Sequence, residues 1–204
     1  MLKDTFLSLL SNYSNNNSLH NILWEEIAHN YSNEQRYYHT LEHLESLLVQ
    51  LTEVKDKINH WDTILFTLFY HDVIYNSLKS TNEEKSADLA VKRMQQLHVP
   101  KPIIEDCKNQ ILATKTHKLS EDSDTNYFID TDLSVLGKSW EIYSQYYKNV
   151  RKEYAIYPNL IYNPGRKKAL THFLDMDKIF KTEYFYQKFE KTARENIQRE
   201  IELL

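Results

Sequence analysis

Apolar residues recur at helical spacing along most of the chain. Leu44, Leu47, Leu48 and Leu51 follow an i, i+3, i+4, i+7 pattern and predict a helix that starts near His39. Ile64, Leu65, Leu68 and Phe69 give the inward stripe of a helix over residues 59–70, and another is predicted over 19–29, after a polar break at 11–18. Ala87, Ala90, Val91, Met94 and Leu97 share one face of a later helix; Thr81 is its expected N-cap, with Glu84 three residues on completing a capping box. Pro100 and Pro102 open the helix of Ile103, Ile104, Cys107 and Ile111. The polar run HKLSEDSDTN leads into YFIDTDLSVLG, where Gly137 is the expected stop. Trp140, Tyr143, Tyr146, Tyr147, Tyr154 and Tyr157 form an aromatic stripe of the kind that packs helices together. The segment YPNLIYNPGR reads as a loop before a helix around 169–174, and Phe185, Phe189, Ala193, Ile197 and Ile201 mark the last helix. No segment alternates long enough to argue a sheet, and two glycines with four prolines leave few breakers, so the expected class is all-α.

Composition narrows the picture. The chain of 204 residues suits a single domain over 1–204, with no internal repeat and no clear boundary. Its net charge of −4 and lack of a long basic run argue against binding a nucleic-acid polymer. Cys107 is the single cysteine, sits among isoleucines, and reads as a buried thiol in a reducing compartment. The amino terminus carries Lys3 and Asp4 and makes a poor signal peptide, and no apolar run reaches the roughly 18–20 residues needed to span a bilayer. The expectation is a soluble, cytoplasmic protein that does not insert into membranes. A homo-oligomer is compatible with this composition.

Candidate chemistry lies in three places. In RYYHTLEH, His39 and His43 are four apart and would share one helix face; alone, such a pair is more often packing than ligation. In FYHDVIY, His71 and Asp72 fall over the buried stripe of the preceding helix, where an ionised aspartate is costly unless paired or metal-bound. In FIDTDLSVLG, Asp130 and Asp132 stand in an apolar segment about 200° apart on a helix, so one can face a site while the other plays a structural part. Together these supply mixed nitrogen and oxygen donors, which suit Mn, Ni, Fe, Zn or Mg better than a sulfur-loving ion.

The order His, His-Asp, Asp resembles the HD superfamily of helical metal-dependent phosphohydrolases. YHTLEH is also similar to the Tyr-His-Asn-x-x-His run of cyclic-nucleotide phosphodiesterases. A closer resemblance is to bacterial proteins described as predicted metal-dependent HD-superfamily phosphohydrolases. RYYHTLEH, FYHDVIY, NEEKSA, FIDTDLSVLG, YNPGRKKAL and TARENIQREIELL look like that family's blocks, in that order, from roughly residue 24 to 204. The resemblance implies an HD-type helical bundle, with a metal-binding core over about 24–137 and additional C-terminal helices over 138–204. It implies His43, His71, Asp72 and Asp132 as metal ligands, Asp132 matching the last ligand better than Asp130 because Leu follows it. It further implies His39 as a proton donor and His117 as a pocket residue or second-ion ligand. Asn82-Glu83-Glu84 stands where two-metal relatives carry another histidine, which departs from a two-ion site; Glu83 is a candidate to orient water. Arg36 and Arg166 are candidates for phosphate oxygens, since a guanidinium matches phosphate in a fork.

The expected function is hydrolysis of a nucleotide or other small phosphorylated metabolite through a metal-activated water. The alternative is a non-hydrolytic module that senses a nucleotide in the same pocket. A metal-dependent oxygenase is a third reading, and it normally wants more histidine ligands than this chain offers.

Overall fold

Helices form where the apolar stripes predict them, and the computed structural model, which describes residues 1–204, contains ten α-helices, two 3₁₀ turns and no strand. The all-α class is therefore met. Two compact units divide the chain, Met1–Phe128 and Ile129–Leu204, the division falling inside one helix.

The first unit contains α1 (Leu2–Ser11), α2 (Asn17–Tyr31), α3 (Leu41–Glu53), α4 (Trp61–Tyr70), α5 (Asn82–Gln96), α6 (Lys101–Ala113) and the first part of α7 (Ser123–Asp132). Every residue of α4 from Thr63 to Tyr70 is buried. A helix apolar on all sides belongs at a core centre, and α1, α3, α5 and α6 all pack on it. Cys107 is buried on α6, as expected.

Two helix starts and one capping interaction in this unit differ from the sequence expectation. The helix expected from His39 begins at Leu41, because the Arg36 guanidinium takes the His39 carbonyl and Thr40 is extended. The helix expected from 59 begins at Trp61, because the Asp124 carboxylate accepts the backbone N–H groups of Asn59 and His60. At α5, Thr81 is the N-cap, but its side chain makes no capping bond. Glu84 pairs with Lys115 at 2.5 Å instead of closing a capping box.

The second unit contains the end of α7, a 3₁₀ turn (Leu133–Gly137), α8 (Trp140–Glu153), α9 (Asn159–Leu174) and α10 (Glu183–Leu203). α10 packs on the 3₁₀ turn and on α9. Asn196 of α10 donates to the Leu136 and Lys138 carbonyls, each at 2.8 Å. The segment expected as a loop before residue 169 is helical from Asn159, with Pro164 inside the helix. Tertiary bonds outweigh the breakers here: Arg166 holds Glu200 of α10 through two hydrogen bonds of 2.7 and 3.0 Å, and Asn163 donates to the Leu204 carbonyl. No helix in the chain is long and apolar enough to cross a membrane.

Candidate metal centre

The sequence FYHDVIY follows directly from the all-buried α4, so its first polar residue emerges inside the first unit. His71 is 1% exposed. Its Nδ1 lies 3.0 Å from the Leu68 carbonyl. A carbonyl only accepts, so Nδ1 carries a proton; in the neutral ring this leaves the lone pair on Nε2, the tautomer a metal-ligating histidine uses. The Asp72 carboxylate lies 3.3 Å from that Nε2 and 3.8 Å from Nε2 of His39. His43, in the first turn of α3, is 5% exposed. Its ring centroid is 5.6 Å from that of His71 and 5.9 Å from that of His39. His39, His43, His71 and Asp72 are thus brought together. His39 reaches the group from the extended residues before α3 and not from the helix itself.

Aromatic side chains hold these imidazoles, and sequence analysis gave them no role although they sit in the same motifs. The Tyr38 ring packs 4.9 Å from His39 and 4.8 Å from His43. Tyr75 lies 4.2 Å from His39, and Phe128 lies edge-on to His71 at 5.4 Å. For Tyr38 and Tyr75 the signal in the sequence is position alone, within a few places of a histidine; Phe128 has no such neighbour.

Arg36 is 8% exposed and directs its fork at main chain. It donates to the carbonyls of His39, Asp72 and Val73 at 3.1, 2.8 and 2.9 Å, with its guanidinium 4.8 Å from the Tyr31 ring centroid. This clasp ties the His39 segment to the His71–Asp72 segment. Arg36 therefore braces the site, where sequence analysis expected it to hold phosphate.

The remaining candidates have different surroundings. Asp130 is fully buried and accepts from Lys181 N, Thr182 N and Thr182 Oγ1, each at 2.7 Å. Burial pushes its carboxyl up to about 6 against the pull of those donors. Asp130, also a catalytic candidate from the sequence, thus anchors the start of α10. Asp132 ends α7 and is half-buried. On that continuous helix it falls one turn beyond Phe128 and shares its face. Glu83 faces Lys115 at 3.6 Å in the first turn of α5. His117 has φ of 50° beyond the end of α6, and its N–H donates to the Ala113 carbonyl, so it closes that helix end. Arg166 is engaged by Glu200 and Tyr146 and is not presented to a phosphate.

The donors fit a divalent ion. Ring nitrogens of His43 and His71 lie within 4.8 Å of each other. An ion about 2.1 Å from each keeps its donors within about 4.2 Å, so small side-chain rotations suffice. Imidazole nitrogen with carboxylate oxygen suits a first-row divalent ion or Mg, and no thiolate is near to favour a softer one. Against known proteins, the chain matches no family model, no curated protein and no solved structure.

Proposed function

We propose that this chain is a metal-dependent phosphohydrolase of the HD type, acting on a nucleotide or other small phosphorylated metabolite. One observation carries the reading: three imidazoles and a carboxylate, from segments 28 or more residues apart in sequence (His43 to His71), gather in a buried part of a helical unit. Burial of such groups is costly without a task or a partner, and sites of this kind are functional candidates. The proposed ligands are His43, His71 and Asp72, whose nitrogen and oxygen donors are of the right kind, with Asp132 added by the resemblance to the HD superfamily. Mn, Ni, Fe, Zn and Mg are the ions in keeping with this set.

A divalent ion held there would acidify a water and offset charge developing on phosphorus. The chain's own residues do the rest. His39, beside the Asp72 carboxylate and stacked on Tyr75, is placed to hold a proton and donate it to the leaving oxygen. Arg36 keeps the two motif segments in register. The test is turnover of a generic phosphate ester with added Mn or Ni. His71→Ala and Asp72→Ala are expected to abolish it with helical content retained, and His39→Ala to slow it by about 10²–10⁴-fold. Undiminished turnover in His71→Ala would remove the reading.

A further inference from the structure

A second recess lies in the first unit, beyond Tyr75 from the imidazoles. It has a volume of about 280 Å³, and its wall includes Arg36, Tyr75, Lys79 and Lys85 together with Asn33 and Asn76. No aspartate or glutamate lines it. Three side-chain cations without a carboxylate make a local positive potential, in a chain whose net charge is −4. Lys115, which pairs with both Glu83 and Glu84, offsets part of the acidic first turn of α5. The floor is also built. The Asn82 side chain accepts from Asn76 N and donates to the Asn76 and Lys79 carbonyls, tying the turn that bears Lys79 onto the helix that bears Lys85.

The recess and the imidazole cluster share a wall. Tyr75 lines the recess and packs 4.2 Å from the His39 ring. Arg36 lines it too and bonds the His39 and Asp72 carbonyls. We propose that this recess is an oxyanion subsite for a second phosphoryl group, so that the substrate class is a small metabolite with two phosphoryl groups. Lys79 and Lys85 supply charge to the group that is not hydrolysed, while the imidazole cluster addresses the other. The assignment of substrate class rests on the hydrolytic reading above; the anion subsite itself does not.

The test is therefore run without metal. Inorganic pyrophosphate is titrated calorimetrically into the full chain in excess chelator at low salt. The wild type is expected to bind, and each lysine lost should weaken binding about tenfold, so that K79Q/K85Q falls by about a hundredfold. Both lysines are exposed, so the variants should fold. Lys92→Gln, an exposed change elsewhere on α5, should bind as the wild type does. No binding by the wild type, or unchanged binding by K79Q/K85Q, would overturn the proposal. Lysine-dependent binding, with no turnover of phosphate esters once Mn or Ni is supplied, would remove the hydrolytic reading and leave the anion subsite standing.

Discussion

At His71 a single hydrogen bond decides the chemistry on offer. Because Nδ1–H is committed to the Leu68 carbonyl, Nε2 is the nitrogen left to face Asp72. The two aspartates of FIDTDL divide in the same way, by what surrounds each. Helical geometry alone separates Asp130 from Asp132, and the sequence makes that division legible. Which of them is structural is set by Lys181 and Thr182, about fifty residues away, and no local pattern carries that information. Removing the Asp130 carboxylate strands three donors in a buried place. Asp130→Ala should lower stability by about 3 kcal/mol, read from urea denaturation; a loss near zero would contradict the anchoring role. Cys107 gives a second check. Burial pushes its thiol up to about 12, although Thr67 pulls it down. At pH 8 almost no thiolate is present in the native chain, so a thiol-reactive disulfide reagent should label Cys107 only after denaturant is added.

Elements follow their apolar stripes closely and their polar ends poorly. The stripes of α3, α4, α5 and α6 are readable because burial repeats every third or fourth residue. Their starts are shifted by Arg36 at α3, which spans the local His39 carbonyl and the distant Asp72 carbonyl, and by Asp124 at α4, whose partners are distant in sequence. The same holds for α9, where Pro164 and Gly165 read as a loop until Arg166 and Asn163 find partners on α10. Gly137 is a glycine for a packing reason. A Cβ there would collide with the Phe189 side chain and stand 2.8 Å from the Phe189 carbonyl oxygen on α10. Gly137→Ala should therefore cost about 1–3 kcal/mol, seen as a lower melting temperature; wild-type stability would show that the 3₁₀ turn and α10 have room to separate.

For the whole molecule, the all-helical class could be read from spacing before any coordinates, and the grouping of His39, His43, His71 and Asp72 from three weak motifs taken together with the resemblance they carry. The clasp of Arg36, the aromatic frame and the basic recess could not, because each joins residues whose individual signals are ordinary. The proposed function requires these imidazoles and the Asp72 carboxylate to serve one divalent ion, which elemental analysis of the purified chain can detect. About one first-row divalent ion or Mg per chain is expected in the wild type, and none in His43→Ala or His71→Ala chains that keep wild-type helical content. Metal-free wild-type protein that also fails to take up Mn, Ni, Fe, Zn or Mg on dialysis, or equal metal in the two variants, would contradict it.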